Sequence, residues 1–384
     1  MNRSTGIAIV GGGVIGASVA YHLAKAGVRD ILIIDSAARP GQGSTGRATG
    51  GFRAQFATPI NVRLSMLSRQ NLLSFREETG VDPGYQQVGY LWLASDDEQL
   101  RYLRAAAAVQ HAEGLTESRE VSTDEIAALN PGVSLDGIVG GFFCPTDGYT
   151  RPLEILRGYL EAAARLGVAV AWDSSCLGFR QASSRIKAIR TTAGEFDVET
   201  VVNAAGPWAA RVAAMAGIDL PVTPLRRQAA ITEKTSAIPG DMPMTIFVDN
   251  GFHVRARDGR ALLCWPTDEL TGDSTTVDDS WLATVEEMMR ARVPALSNVK
   301  LERELCYAGL YEMSPDKHAI VGFATGCENL FLVNGSSGHG VMHSPALGAI
   351  TAAILSGNDP PLDPHELRPS RFAEGAPVHS PELL

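Results

Sequence analysis

Three glycines near the start of the chain have the spacing of a phosphate-binding turn. Gly11, Gly13 and Gly16 form a Gly-x-Gly-x-x-Gly motif, and Asp35 lies further along the chain. Glycine at these positions allows a tight turn, close approach of the backbone to a diphosphate, and close packing of a helix on a strand. An acidic residue after the next strand accepts hydrogen bonds from ribose hydroxyls. These residues predict a dinucleotide site.

The segments around the glycines supply the elements that such a site needs. The apolar run 7–10 predicts a strand, 17–25 predicts a helix ending at Gly27, and 31–34 predicts a second strand closed by Asp35. Together they form a βαβ unit whose helix begins at the glycine turn. That helix start offers free N–H groups and a partial positive charge to phosphate. The alternative, a glycine turn without a ligand, does not explain why all these elements occur in order.

Composition sets the class of the protein. The chain has 384 residues, 45% of them hydrophobic, which is enough for about two domains. The net charge of -10 argues against a nucleic-acid partner. No run is long enough to span a membrane, and no signal peptide is indicated. The five cysteines lack CxxC spacing, so we expect no metal, reduced thiols and a cytoplasmic protein.

Further periodic segments follow the βαβ unit. The predicted helices are 59–79, 96–113, 151–166, 279–293 and 345–355, and the apolar face of the third contains Leu153, Leu156, Leu160 and Ala163. The predicted strands are 89–94, 168–171, 330–333 and a hairpin of 186–191 with 195–202, while 221–257 is rich in strands. Residues 41–51 predict a polar loop, and the proline-rich tail from Asn358 is expected to lie on the surface.

The glycine motif alone does not separate FAD from NAD. After Asp35 the βα units do not continue, because the polar loop 41–51 and a long helix interrupt them. The chain contains no second dinucleotide motif, so a flavoprotein reduced by bound NAD(P)H is not favoured. FAD is therefore the expected cofactor.

Six segments resemble the D-amino-acid oxidase-like family of FAD enzymes, which includes sarcosine oxidases, glycine oxidase and the flavin subunit of dye-linked proline dehydrogenase. They occur in the family's order and are Gly11 to Gly16 with Asp35, Gly-Ser-Thr-Gly-Arg (43–47), Asp-Gly-Tyr-Thr-Arg-Pro (147–152), Val-Asn-Ala-Ala-Gly-Pro-Trp (202–208), Tyr-Ala-Gly-Leu-Tyr-Glu-Met-Ser-Pro-Asp (307–316) and Gly-Ser-Ser-Gly-His-Gly (335–340).

The resemblance implies an α/β fold with two interleaved domains. An FAD-binding, Rossmann-like βαβ domain would comprise residues 1–85, 148–220 and 318–365. A mixed β-sheet substrate domain would comprise 86–147 and 221–317, leaving 366–384 as a C-terminal tail.

The resemblance also implies which residues surround the cofactor. These are Gly11, Gly13, Val14, Ile15, Gly16, Asp35, Ser36, Ser44, Thr45, Gly46, Cys176, Ala205, Gly206, Trp208, Gly338, His339, Gly340, Val341 and Met342. The turn before the last predicted helix would direct N–H groups at the flavin N1–C2=O edge and favour its reduction. Simple burial is the alternative for Cys176, and core packing is the alternative for Trp208.

Three residues are implied to act on the substrate. Arg53 matches an arginine that binds a substrate carboxylate, where a guanidinium can form two parallel hydrogen bonds. Tyr311 matches a tyrosine that faces the same pocket, and His339 belongs to the redox-tuning turn. Each also has a purely structural explanation, which is a salt bridge for Arg53, a buried partner for Tyr311 and a hydrogen bond for His339.

The chain departs from sarcosine oxidases at three places. Gly309 occupies the position of a cysteine that attaches FAD, with Cys306 out of register, so we expect non-covalent FAD. Leu263 replaces a lysine that assists reaction with O₂, which puts fast oxidation by O₂ in doubt. Met342 replaces a lysine that binds carboxylate, which puts sarcosine itself in doubt.

The resulting hypothesis is oxidation of a small amino acid or secondary amine by hydride transfer from Cα–H to flavin N5, giving an imine that water hydrolyses. The electron acceptor would be O₂, or a quinone or partner subunit if the chain is part of a dehydrogenase. Two rival hypotheses are oxidation of a 2-hydroxy acid, which should need a base, and a flavin-bearing assembly subunit without turnover.

Overall fold

The computed structural model describes residues 3–267 and 272–379. The strands of this part are β1 (Arg3–Val10), β2 (Ile31–Ile34), β3 (Gly51–Phe52), β4 (Tyr90–Ala94), β5 (Arg119–Val121), β6 (Gly140–Cys144), β7 (Gly148–Tyr149), β8 (Ala169–Ala171), β9 (Cys176–Ala182), β10 (Arg185–Thr191), β11 (Gly194–Asn203), β12 (Thr223–Ile231), β13 (Met244–Phe247), β14 (His253–Arg257), β15 (Arg260–Cys264), β16 (Tyr307–Met313), β17 (Ile320–Phe323) and β18 (Leu330–Asn334). The helices are α1 (Val14–Lys25), α2 (Pro59–Thr79), α3 (Asp97–Ala112), α4 (Thr123–Leu129), α5 (Pro152–Arg165), α6 (Ala209–Ala214), α7 (Asp279–Arg292) and α8 (Gly340–Leu355).

The first sheet has the predicted βαβ unit at its centre. Its strand order is β17-β18-β11-β1-β2-β8, and β10 and β9 extend it beyond β11. β1 pairs in parallel with β2 and β11, and β2 pairs in parallel with β8, as predicted for residues 168–171. β10 and β11 are antiparallel and form the predicted hairpin. The sequence Ile-Leu-Ile-Ile of β2 is buried throughout, because a parallel sheet is covered on both faces.

The second sheet is mixed and has the order β16-β12-β15-β14-β13-β4-β6-β5. One face packs against α7 in a hydrophobic cluster that includes Leu91, Phe247, Leu263 and Trp281. The other face carries Tyr90, Trp92, His253 and Tyr311, and its strand β16 lies against the loop that follows β2. The α/β fold with a mixed second sheet is thus confirmed, whereas the proposed domain bounds remain a prediction.

Small residues hold the last helix close to the first. Gly348 of α8 lies where a methyl group would overlap the Ser18 side chain of α1. α8 also contacts α2, where the Ser65 hydroxyl and the His343 Nε2 are 2.9 Å apart. This packing places the N-termini of α1 and α8 side by side at the carboxyl ends of β1 and β18.

Three sequence predictions about elements were wrong in detail. Leu153 is 49% exposed, because the buried face of α5 instead contains Ile155, Leu156 and Tyr159. α8 begins at Gly340 and continues through Pro345, since the Ser344 hydroxyl donates to the Val341 carbonyl that a peptide N–H would otherwise satisfy.

The tail is also less superficial than predicted. Leu367 and Arg371 are fully buried, because the Arg371 guanidinium is paired with Asp316. The remainder of the predicted tail, 380–384, lies outside the described residues. Within the described ranges, no helix combines the length and apolar character needed to cross a membrane.

Candidate active site

The glycine turn before α1 has the geometry that a diphosphate site requires. Gly11 has φ +109, and a side chain there would overlap the Ala204 carbonyl. A side chain on Gly16 would overlap the carbonyl of Gly11, so the close packing of turn and helix depends on glycine. α1 has neither a side-chain cap from its N-cap residue, Gly13, nor an acidic residue in its first turn. Its amide groups and partial positive charge can therefore face an anion.

The neighbouring polar groups hold this turn in place. Asp35 accepts hydrogen bonds from the Gly12 N–H at 2.6 Å and the Ala37 N–H at 2.7 Å, while Ser36 is exposed. The Thr45 hydroxyl lies 3.0 Å from the Val14 N–H and accepts from it. These contacts were not predicted, and the roles of Asp35 with ribose and of Thr45 with phosphate remain predictions.

The loop of residues 44–47 joins the glycine turn to the second sheet. The Ser44 hydroxyl donates to the Leu310 carbonyl at 2.7 Å, and Arg47 donates to the Ala308 carbonyl at 2.6 Å. A side chain on Gly46 would overlap the Gly41 carbonyl. The loop is therefore fixed between the two sheets.

The segment after β11 borders the same region. Ala205 donates its N–H to the Asn203 side chain, and Gly206 follows with φ +56. Trp208 is 37% exposed, so core packing does not explain it. Cys176 begins β9 and is half-buried, with its Sγ 3.9 Å from the Met215 Sδ, and its contact with adenine remains a prediction.

The start of α8 is a second helix N-terminus that its own N-cap residue does not cap. Ser337 and Gly338 have φ +48 and +94, and His339 is the N-cap residue. The His339 side chain makes no capping hydrogen bond, and no acidic residue lies in the first turn, Gly340 to Met342. Because the first N–H groups of a helix lack intrahelical partners, this end can bind a negative or electron-rich group.

Arg53, Tyr311 and His339, predicted from distant segments, meet at this helix start. Arg53 donates to the Gln55 carbonyl at 2.7 Å, and its Nη2 lies 3.2 Å from the His339 Nε2. Burial and the charge of Arg53 hold the pKa of His339 well below its usual range, so the imidazole is neutral and accepts this hydrogen bond. The Tyr311 ring packs on the backbone of Gly338, where a side chain would overlap it.

The structure also brings residues to this place that sequence reasoning missed. Arg227 lies 5.6 Å from the centre of the Tyr311 ring, and His253 and Tyr90 are on the same face of the second sheet. Asp147 is fully buried and accepts from the N–H of Ala54 at 2.8 Å. The signal for His253 was its alternation with the apolar residues Phe252 and Val254, which places it on the face opposite the core. Arg227 had no such signal, because its neighbours in β12 are Arg226 and Gln228.

The residue expected in place of a lysine, Leu263, does not face this site. Its side chain belongs to the hydrophobic cluster on the opposite face of β15. The neighbours Leu262 and Cys264 have the opposite orientation, because successive strand residues alternate. Gly309 lies against the Arg47 side chain, and the Cys306 Sγ accepts from the Ile231 N–H.

Two cavities lie beside residues of the candidate site, one at Arg53 and one at Thr45. The smaller, of about 30 Å³, lies beside Arg53 and is walled by Phe56, Trp92 and Phe142. The larger, of about 350 Å³, adjoins Thr45 on one side and Arg255 on the other. Of the three predicted substrate residues, Arg53 lines the smaller cavity, and Tyr311 and His339 line neither of the two.

Comparison with known proteins agrees with this geometry. The family model described as FAD dependent oxidoreductase matches residues 6–354. The chain is 27% identical to mitochondrial dimethylglycine dehydrogenase of Rattus norvegicus over 95% of its own length and 44% of the relative's. It is 25% identical to glycine oxidase of Geobacillus kaustophilus (strain HTA426), over 94% and 96% of the two chains. The chain thus spans less than half the length of the dehydrogenase relative.

A solved structure matches nearly the whole chain. L-proline dehydrogenase from P. horikoshii superposes with a TM-score of 0.92 at 27% identity, covering 98% of this chain and 100% of that one. The geometry of the site fits the cofactor of the matched family. Two helix N-termini that their own N-cap residues do not cap face one cleft, and the turn that leads into α1 is rich in glycine. Glu312, Ser336 and Asn334 also have buried polar atoms without a partner in the described part of the chain.

Proposed function

We propose that this chain, which belongs to the FAD-dependent oxidoreductase family, oxidises a small amino acid or secondary amine at its carbon–nitrogen bond. The observation that supports this most directly is Arg53, a buried guanidinium beside the start of α8 that no carboxylate of the described residues pairs with. A buried cation without a carboxylate is costly, so an anionic substrate group is a natural partner.

Arg53 is held ready for such a group. The neutral His339 imidazole and the Gln55 carbonyl each accept one of its N–H groups, and the guanidinium lies 3.9 Å from the centre of the Phe56 ring. The remaining N–H groups can bind a carboxylate and fix the substrate α-carbon. In this arrangement His339 positions Arg53 and does not act as a base.

The charges around the site favour the reactive form of the substrate. Arg53 and Arg227 both act on Tyr311, and both are cations. Their charge disfavours an ammonium group and favours the neutral amine, whose lone pair assists loss of hydride from the α-carbon. Burial raises the pKa of Tyr311, so its phenol keeps its proton and can donate a hydrogen bond. When bound, FAD supplies the two-electron acceptor for the hydride.

The test compares substrates with and without a carboxylate. The Arg53→Met variant should lose about 100-fold or more in kcat/KM for L-proline and sarcosine, but much less for pyrrolidine and dimethylamine. Loss of visible flavin absorbance under argon measures reduction without an added acceptor. The Arg63→Met variant, at an exposed arginine of α2, is the control. Equal losses for both substrate classes would contradict the carboxylate role.

A second candidate concerns the electron acceptor. The strand residues that face the site side of β15, Leu262 and Cys264, are not lysines, and the matched dimethylglycine and L-proline enzymes are named dehydrogenases. We therefore propose an acceptor other than O₂. Stopped-flow mixing of the reduced protein with O₂ should show slow reoxidation, while an artificial quinone should reoxidise it rapidly.

A further inference from the structure

Glu312 of β16 carries an unsatisfied carboxyl oxygen inside the molecule. The residue is 8% exposed, and its Oε1 accepts a hydrogen bond from the Ser336 N–H at 3.2 Å. Its Oε2 has no hydrogen-bond partner among the residues that the structure describes. A buried carboxyl oxygen without a donor costs several kcal/mol when the group is ionised, so a donor from outside the chain is expected.

Two further buried side-chain oxygens, on Ser336 and Asn334, also lack a hydrogen-bond partner of good geometry within the described ranges. The first is the Ser336 hydroxyl, which lies beside the Glu312 carboxyl, and the second is the Asn334 Oδ1. Asn334 ends β18 and Ser336 lies in the segment between β18 and α8, and the Asn334 Nδ2 already donates to the Asn203 carbonyl. These buried polar atoms suit a ligand that carries several hydroxyl groups.

The position of Glu312 identifies that ligand. Its Oε2 lies 3.9 Å from where a methyl group on Gly206 would be, and its Oε1 lies 3.7 Å from the same point on Gly340. Ile15, in the first turn of α1, also adjoins Gly340. Glu312 therefore adjoins the start of α8, which suits the flavin ring, on the side where α8 meets the start of α1, which suits a diphosphate.

We propose that the Glu312 carboxyl binds the ribityl chain of FAD, with Oε2 accepting a hydrogen bond from a ribityl hydroxyl. The ribityl chain is the part of FAD that connects the diphosphate to the ring, so a residue beside the place where the two helix starts meet faces it. Burial raises the pKa of Glu312 to about 7, and the Ser336 amide, the Ser336 hydroxyl and the Gly335 amide oppose this rise. A hydroxyl donor at Oε2 stabilises the ionised form further.

The experiment is a binding cycle with altered protein and altered cofactor. Apo-protein and its Glu312→Gln variant are titrated with FAD and with FAD analogues that each lack one ribityl hydroxyl, and quenching of flavin fluorescence gives each Kd. We expect the variant to bind FAD about 10- to 100-fold more weakly. For the analogue that lacks the contacted hydroxyl, wild type and variant should bind with similar Kd values.

The control is Glu304→Gln, at an exposed glutamate shortly before β16. If Glu312→Gln does not fold, as judged by circular dichroism of the apo-protein, Glu312→Asp is used. Aspartate keeps the carboxyl group, but its shorter side chain moves the oxygens away from the ribityl chain. Unchanged FAD affinity, or the same loss for FAD and every analogue, would overturn the proposal. Because no substrate is used, the result is independent of whether the protein oxidises amines.

Discussion

At the residue scale, the site depends on how a few buried groups hold one arginine. Arg53 is 8% exposed, and its immediate partners are a neutral imidazole, a carbonyl and two aromatic rings. Such partners orient a guanidinium without neutralising it. The same pocket can therefore present positive charge to a carboxylate and disfavour a protonated amine.

Asp147 holds the backbone segment that directly follows Arg53. Its carboxylate accepts from the N–H groups of Ala54 and Gln55, so it fixes the backbone on which Arg53 stands. Burial raises the pKa of Asp147 to about 7, and these hydrogen bonds oppose the rise. The folded protein therefore retains a proton that the unfolded chain releases above its ordinary pKa near 3.8.

This shift predicts a pH dependence of stability. A carboxyl group whose pKa is raised by folding contributes stability that is fully present below its pKa in the unfolded chain. That stability is lost as the pH rises through its pKa in the folded protein, about 7. Asp147→Asn cannot titrate, so its free energy of unfolding relative to wild type should increase between pH 4.5 and pH 7.5, by about 2 kcal/mol. Urea unfolding at both pH values measures this. Asp136→Asn, at an exposed aspartate, is the control, and parallel pH curves for Asp147→Asn and wild type would refute the prediction.

At the scale of elements, two helix starts form the candidate cofactor site. α1 and α8 both begin without a side-chain cap from their own N-cap residues and without acidic residues, so their amides and dipoles are directed into the cleft. The turn that leads into each of these helices contains glycine. Ordinary capping residues would stabilise either helix but would occupy the space and the N–H groups that a ligand needs.

The packing of α1 on its turn gives a second prediction. A methyl group on Gly16 would overlap the Gly11 carbonyl, whereas one on Gly43 would have open space around it. We therefore expect Gly16→Ala to weaken FAD binding by about 100-fold or to prevent its retention on purification, because α1 must move away from the diphosphate turn. Gly43→Ala should bind FAD normally. The ratio of visible to ultraviolet absorbance of the purified proteins tests both, and normal flavin content in Gly16→Ala would contradict the packing argument.

At the scale of the whole molecule, the last segment of the chain ties the layers together. The Asp316 carboxylate after β16 receives two hydrogen bonds from Arg371, at 2.8 and 2.9 Å, and Arg371 also donates to the carbonyls of Leu367 and His318. The charge of Arg371 helps hold the pKa of Asp316 below its usual range despite burial. The tail thus closes over the end of the second sheet that holds Tyr311 and Glu312.

Breaking this pair should affect the entire protein. Arg371→Ala leaves a buried carboxylate without its partner, and we expect a loss of about 3–5 kcal/mol in the free energy of unfolding. Arg368→Ala removes a partly exposed ion pair with Glu374 in the same segment and should cost far less. Chemical denaturation of both variants measures the difference. Similar losses for the two would mean that the tail contributes by contact area and not through this ion pair.

The sequence by itself determined the dinucleotide unit and most of the elements. Glycine spacing, apolar runs and helical periodicity are local properties, so Gly11 to Asp35, α2 and the β10–β11 hairpin could be predicted from neighbouring residues. The three residues expected to act on substrate, Arg53, Tyr311 and His339, were found through family motifs, and their proximity in the structure is consistent with that assignment.

Only the tertiary structure decided which side chains share the cleft and which face the core. Leu263 and Cys264 are adjacent in sequence but point to opposite faces of β15, and no local signal fixes which face meets the cofactor. Asp147, Arg227 and Glu312 lie on separate segments of the chain, and the groups that surround each of them are brought there by long-range packing. The physical reason is that periodicity specifies alternation within an element, whereas the pairing of elements specifies what each face meets.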